Sequence, residues 1–416
     1  MRGRKDRVRI VGWRGIATWP ILTLLLVLGM AALVACGEEP TSTTTTAGST
    51  SSTAAQPSGE PVVIGAIVSA TGANSALGEQ ERNVLEMMQE VINSKGGVLG
   101  RPLKIVIEDD KTDPKEAVTA ANRLLDQEKA VALIAATGSA STLAVKEITA
   151  QKGVPQIAMA AANDITDKAP MEWIWRTPHK DALAVSRALD YVVNTLKVKK
   201  VAILHDENAF GSSGKAEIEK QAPSLGLDVV AVESYKTADT DLTAQLTKIR
   251  GASPEVLIVW GTNPGPALAA KNMKQLGMNI PYVGSHGIAN KKFIELAGEA
   301  AEGVVFPAGR LLVPSSITDP AQKAVTDEFI ALYQAKYGAA PNTFAGYAFE
   351  AVVILVDAIT RAGSTEATAI KDALNSTKNL AGPDGYYNYS PTDHDGLKAE
   401  DMIMVKIQGG TWVLAE

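Results

Sequence analysis

The feature that most constrains this chain is an alternation of short apolar runs with amphipathic helical stretches, running through it twice. Val62–Val68 is a continuous, β-branched apolar run, the pattern of a strand covered on both faces. After a Gly/Ser/Asn-rich turn, Val84, Leu85, Met87, Met88, Val91 and Ile92 recur at helical spacing until Gly96-Gly97 stops the helix. Leu103–Glu108 reads as the next strand, and Asp113-Pro114 opens a helix with proline in its first turn. A strand at Val131–Ala135, a helix over 142–151 and a strand at Pro155–Met159 complete the first block. Parallel strands need crossover connections, so this order predicts a parallel sheet with helices on both faces.

A second block repeats the rhythm. Strands are expected at Lys200–His205, Asp228–Glu233, Val256–Trp260, Pro281–Val283 and Gly303–Phe306, with helices over 212–221, 240–250, 265–276 and 290–297 between them. A helix over 180–195 separates the blocks. Two more follow over 321–337 and 343–362, then a β pair near 401–407 and 411–414. At 416 residues the chain exceeds one core of ordinary size. The expectation is an α/β protein of two doubly wound lobes, with the leftover elements completing one or both.

The first sixty residues follow another logic. Residues 1–35 carry six cations and one anion, and Gly15 to Ala35 is an uncharged stretch rich in leucine that ends in small residues. That is the order of an export signal, although 21 uncharged residues would also cross a bilayer. Residues 37–60 contain twelve Ser or Thr and no large apolar side chain, so they read as a flexible tether. Without the leader, 34 cations face 45 anions, a net charge of −11 that offers no basic face to nucleic-acid phosphates. The one cysteine, Cys36, excludes an internal disulfide framework and a Cys-rich metal site.

Catalytic signatures are scarce. His179, His205, His286 and His394 lie far apart with no HExxH pattern, and no GxSxG elbow or GxGxxG loop occurs. Gly211-Ser212-Ser213-Gly214-Lys215 resembles part of a phosphate loop but has Ala209 and Ala216 at decisive positions, so it reads as a helix start on a Gly/Ser turn. Asp109, Asp110 and Asp113 read as caps rather than cation ligands. The stronger signal is Thr137-Gly138-Ser139-Ala140-Ser141-Thr142 after the third strand. Hydroxyls at a helix N-terminus gather N–H donors and a positive dipole end at one point, which suits an anion. The alternative is that Ser139 or Ser141 simply caps its own helix. Ala160 to Asn163, Phe210, Thr262-Asn263 and Ser285-His286-Gly287 also follow expected strands, where ligands of open α/β sheets bind.

These segments bring a family into view. Leu33-Val34-Ala35-Cys36-Gly37 resembles a bacterial lipobox. The run Ile92 to Pro102 (INSKGGVLGRP), Glu108-Asp109-Asp110, Asp113-Pro114, Asp239 to Leu246 (DTDLTAQL), Glu295 to Gly298 and Tyr333, Lys336 and Tyr337 together resemble the extracytoplasmic substrate-binding proteins of ABC transporters, of the branched-chain amino-acid (leucine-binding) type. The resemblance implies a type I periplasmic-binding-protein fold, with three strands crossing between lobes that close on a ligand. It implies a signal peptide over 1–35, lipidated Cys36, a tether over 36–60, an N-terminal lobe of 61–177 plus about 307–385, and a C-terminal lobe of 178–306 plus about 386–416.

By position, the resemblance implies that Ser139 holds a ligand carboxylate with backbone help from Ala160 and Ala162. Leu77 and Phe210 would line the pocket, with Asn263 and Tyr347 nearby. Two departures stand out: amino-acid binders of the family commonly place Thr where this chain has Ala162 and an acid where it has His286. A buried ammonium without partners costs several kcal/mol, about 2–7 by transfer scales for polar groups and more for ions. The ligand is therefore expected to be a small carboxylate, aromatic, aliphatic or amide-like, or an amino-acid-like molecule other than leucine. The resemblance further implies a monomer without cofactor or metal, lipid-anchored in the periplasm or on the outer face of a single-membrane cell, with permease and ATPase partners and no nucleic acid. Two other classes stay open: a ligand-sensing module of a receptor, and an amidase or esterase.

Overall fold

The computed structural model describes residues 56–415. The expected signal segment over 1–35, Cys36 and the tether up to Ala55 lie outside the described residues. Residues just before the expected start at 61 already contact the first lobe: the Ser58 N–H donates to the Gly100 carbonyl at 3.0 Å, and Arg101 Nε to the Glu60 carbonyl at 2.7 Å.

The first lobe is built on β1 (Val62–Val68), β2 (Leu103–Asp109), β3 (Ala132–Ala135), β4 (Gln156–Ala158) and β5 (Ile174–Arg176), all parallel, in the order β2-β1-β3-β4-β5. Helices α1 (Ser75–Ser94), α2 (Pro114–Asp126), α3 (Ser139–Lys152) and the short α4 (Asp164–Asp167) connect them. Pro114 occupies the first turn of α2, and Asp113 caps it by accepting the Lys115 N–H at 2.8 Å. The chain then crosses to the second lobe.

There α5 (Asp181–Tyr191), α6 (Ala209–Gln221), α7 (Thr243–Gly251), α8 (Gly265–Gln275) and α9 (Lys291–Ala297) alternate with β6 (Lys200–Asp206), β7 (Asp228–Tyr235), β8 (Val256–Trp260), β9 (Tyr282–Gly284) and β10 (Val305–Ala308). After a return past Gly309, α10 (Pro320–Tyr337), α11 (Thr343–Ala362), α12 (Ala367–Asn375) and the hairpin β11 (Leu380–Gly382) and β12 (Gly385–Tyr387) belong to the first lobe. A third crossing delivers β13 (Ile403–Gln408) and β14 (Thr411–Leu414) to the second sheet, ordered β14-β13-β10-β9-β8-β6-β7.

Two expectations need correction. The second sheet is not wholly parallel, because β13 pairs antiparallel with β10, and β14 with β13, after the late re-entry. That re-entry also falls later than about residue 386: Tyr387, Tyr389 and Leu397 pack in the first lobe's core, and Met402 is the first residue in the second's. Helix α11 is long and apolar enough to cross a membrane by length and composition. Here Val352, Ile354, Leu355 and Ile359 are fully buried, so α11 is the spine of the first lobe, packed on α1.

Candidate functional site

A cavity of about 470 Å³ lies between the carboxyl ends of the two sheets. Its walls are unlike. The first is set by β3 running into α3. Gly138 occupies the N-cap position without a side-chain cap bond, so neither serine caps its own helix. The Ser139 Oγ instead accepts the Ala162 N–H at 3.3 Å, a bond that leaves its hydroxyl hydrogen unused. Thr142 Oγ1 accepts the Ala136 N–H at 2.9 Å and pins the turn. The first N–H groups of α3, Ser139 and Ser141 thus gather along one side of the cavity, with Thr137 beside them.

Behind this wall stands Glu81. It is fully buried and hydrogen-bonded to the Thr137 hydroxyl, which in turn accepts the Ser69 N–H at 2.9 Å. Burial pushes its carboxyl up to about 8; the Thr137 bond works against that rise and the nearby Asp110 adds to it. Glu81 therefore stays neutral at pH 7.

The second wall is aromatic. Asn208 accepts the Gly211 N–H at 2.9 Å and starts α6, whose first turn presents Phe210 to the cavity. Gly214 is one turn further on, where a Cβ would come within 2.1 Å of the Trp260 indole, so its lack of a side chain lets α6 press on that ring. The Trp260 Nε1–H donates to Asp181 Oδ1 at 3.0 Å. Burial pushes Asp181 up to about 7, against hydrogen bonds from Ser213 and Trp260. His286 meets Phe210 and Trp260 edge-on, at centroid distances of 5.3 and 5.8 Å. Neither of its ring nitrogens has a hydrogen-bond partner. Desolvation, aided by the Arg176 charge, drives its pKa down to about 3. A neutral imidazole offers one donor and one acceptor.

From α11, Phe344 and Tyr347 close the floor, and the Tyr347 hydroxyl is buried without a partner. Hydrogen bonds already span the lobes, among them Thr262 Oγ1 to Asn74 Oδ1 at 3.1 Å, the Asn163 N–H to Ser213 Oγ at 3.0 Å and Asn163 Nδ2 to Glu217 Oε2 at 3.0 Å. Arg176, fully buried, donates to the Ala161 and Ala162 carbonyls at 2.9 and 3.0 Å and pairs with Asp395 at 2.9 Å, which fixes the loop after β4.

Of the residues singled out from sequence, Leu77, Ser139, Ala160, Phe210, His286 and Tyr347 line this cavity together. Ala162 and Asn263 do not. The Ala162 N–H is taken by Ser139 and its carbonyl by Arg176, while Asn263 is buried with its amide donating to Asn290 Oδ1 at 3.4 Å. The Gly211–Lys215 run opens α6, with Gly211 in its first turn and its N–H held by the N-cap Asn208. Asp109 accepts the Thr71 and Lys111 N–H groups at 3.1 and 2.9 Å, and Asp110 the Ser69 hydroxyl at 2.7 Å, so both order a turn. Sequence reasoning missed Asn74, Met159, Phe344 and Lys111. Asn74 carried a usable signal, since it lies in the turn after β1, at the sheet's carboxyl edge; Phe344, on a helix far along the chain, carried none.

No Asp or Glu is among the residues lining the cavity, and its one charged lining residue, Lys111, is 3.5 Å from Glu116. The site can hold a negative charge by dipoles and hydroxyls and an apolar body by rings. It has no fixed negative charge to meet a cation.

Comparison with known proteins agrees with this architecture. A family model described as periplasmic binding protein matches residues 61–411, and the chain belongs to that family. An amino acid binding protein of Pseudomonas aeruginosa is 30% identical over 319 residues, 76% of this chain and 82% of the relative. Leu/Ile/Val-binding protein homolog 3 of Brucella melitensis is 30% identical over 334 residues, covering 80% and 88%. Among solved structures, an extracellular ligand-binding receptor from Rhodopseudomonas palustris superposes with a TM-score of 0.80 at 28% identity, covering 86% of this chain and 100% of that one. The branched-chain amino acid transporter substrate binding protein LivJ from Streptococcus pneumoniae, in complex with isoleucine, gives 0.77 at 25% identity, covering 86% and 99%. Members of this family are substrate-binding proteins that act outside the cytoplasm.

Proposed function

We propose that this chain is the solute-binding component of an ABC importer and that its cargo is a small carboxylate without an ammonium group. The observation that carries the second part is the lining itself: α3's N-terminus with the serines Ser139 and Ser141 on one wall, and no acid on the other. A carboxylate gains from the first wall, whereas an α-ammonium would lose its hydration to neutral Tyr347, His286 and Phe210. In this reading Ser139 and the α3 amides take the carboxylate, with Leu77, Ala160 and Phe210 around the body and His286 and Tyr347 able to bond a hydroxyl or amide on it. An aromatic body fits the edge-on pair of Phe210 and His286. Lobe closure would be driven by one molecule touching both walls.

Calorimetry on the purified chain against benzoate, 4-hydroxybenzoate, aliphatic acids and leucine tests the assignment. Organic-acid binding with leucine inert is expected; micromolar leucine binding without any organic-acid binding overturns it. A second reading, a branched-chain amino-acid cargo, is favoured by the names of the relatives. The same titration separates the two. A turnover assay on amides and esters separates binding from hydrolysis.

Anchoring through lipidated Cys36, export by the 1–35 segment, action as a monomer, and a permease with its ATPase as partners complete the proposal. It is supported by the lipobox pattern and by family membership. Mass spectrometry of the membrane fraction checks it: an N-terminus at Cys36 bearing acyl chains is expected, and an intact Met1 sinks it.

A further inference from the structure

The three places where the chain passes between the lobes converge on two buried acids that the cleft does not use. Glu350, on α11, and Asp384, in the turn between β11 and β12, are both essentially without solvent contact. The Asp384 N–H donates to Glu350 Oε1 at 2.8 Å. At the first crossing, the Tyr387 hydroxyl lies 2.8 Å from the Thr177 carbonyl oxygen and 2.7 Å from Glu350 Oε2. At the second crossing, a Cβ on Gly309 would come within 1.7 Å of Asp384 Oδ1, so the backbone passes directly against that carboxyl. At the third, the Asp401 carboxyl abuts Gly385, where a Cβ would be 2.7 Å from Asp401 Cγ.

The hydrogens around Tyr387 do not add up if Glu350 is ionised. Two short oxygen–oxygen contacts need two hydrogens, and the phenol carries one. The Thr177 carbonyl carries none. Tyr387 must therefore donate to Thr177, and the other hydrogen belongs to Glu350, which donates to the phenol oxygen.

We propose that Glu350 is a positioning residue that keeps a proton and, through Tyr387, fixes the Thr177 carbonyl at the interlobe crossing, so that losing the proton loosens the hinge. The surroundings agree in sign. Burial raises the Glu350 carboxyl well above its ordinary range, and the charge of Asp384 adds to that; Asp384 itself is pushed up to about 7 by burial and by Asp401. Asp401 also acts on Glu350, while the Asp384 N–H favours its charged form, as a Tyr387 hydroxyl turned from Thr177 to the carboxylate would. The cations nearby, Arg310 and Lys398, act on Asp401, which Glu400 opposes, and His179 in the first crossing is held neutral by burial. The buried Tyr347 phenol on the same helix feels both acids. Glutamine reproduces both bonds of the protonated acid: its amide N–H replaces the carboxyl proton and its oxygen accepts from Asp384.

The test is amide hydrogen exchange of residues 177–181 in the full processed chain, without ligand, from pH 6 to 9 and corrected for intrinsic chemistry. In the parent, protection at the crossing should fall about tenfold over that range. E350Q should hold the acid-side protection at every pH, and Y387F should be deprotected about tenfold throughout. The proposal is overturned if E350Q is as open as Y387F, if E350Q fails to fold, if it keeps the parent's pH dependence, or if D384N alone abolishes that dependence. No cargo enters this measurement, so its failure leaves the ligand assignment untouched.

Discussion

The two walls of the cleft are made from the same kind of unit, a strand running into a helix, yet they do opposite things. After β3, small hydroxyl residues leave the α3 amides uncovered; after β6 and β9, the rings of Phe210 and His286 face the cavity. The difference lies in a few side chains at the carboxyl edge of each sheet, not in the topology. One wall is built for charge and the other for an apolar body, which gives a cargo an orientation before it gains any affinity.

Both walls are backed by a buried acid, and pH separates them. Glu81 and Asp181 have folded pKa values raised to about 8 and about 7. An acid raised on folding contributes most below its unfolded pKa of about 4, and that contribution is lost as pH rises toward the folded value. Stability from these groups should therefore decline from about pH 4, flattening near 7 for Asp181 and near 8 for Glu81. Each change is on the order of a few kcal/mol. Denaturant melts of E81Q and D181N against the parent should each remove part of the slope, with the E81Q difference growing about one pH unit further. Differences must be compared, since His179 and His286, held neutral by burial down to about 3, give the opposite slope below about 6.5. Equal pH ranges for the two variants would break the contrast.

Ser139→Asp places a carboxylate against the α3 amides and should cost more than about 100-fold in acid binding, with circular dichroism unchanged. Retained binding would move the anion to another wall. Phe210→Ala removes the ring facing His286 and should weaken an aromatic cargo by roughly 30-fold, about 2 kcal/mol, by calorimetry. Unchanged affinity would mean the second wall only encloses. Ser139→Ala keeps the amides and deletes one hydroxyl, a loss of about tenfold. Tyr347→Phe should be the mildest, about threefold, and confined to cargoes that carry a hydroxyl or amide.

Much of this was legible in the sequence, for stated reasons. The strands of both blocks announce themselves because parallel sheets covered on both faces need uninterrupted apolar runs, as at Val62–Val68 and Val256–Trp260. Ser139, Phe210 and His286 could be placed together because each follows such a strand. What was not legible depends on contacts distant in sequence. The hairpin of β11 and β12 has too few residues to show a period, and its attachment to the first lobe rests on Tyr387 and Tyr389 bonding the carbonyls of Thr177 and Arg176, 210 and 213 positions away. The displacement of Ala162 from the cavity follows from Arg176, whose guanidinium claims the neighbouring carbonyls, a role that no local pattern announces.

The uncovered start of α3 has a kinetic side. Dipoles and hydroxyls reach only a few ångströms, and the lining's single lysine already faces Glu116, so little long-range field draws an anion in. No long-range pull would quicken capture, and the net negative charge of the chain would slow an anion most in fresh water. Unloading would require no ion pair to be pulled apart, only a tilt of the wall away from its guest.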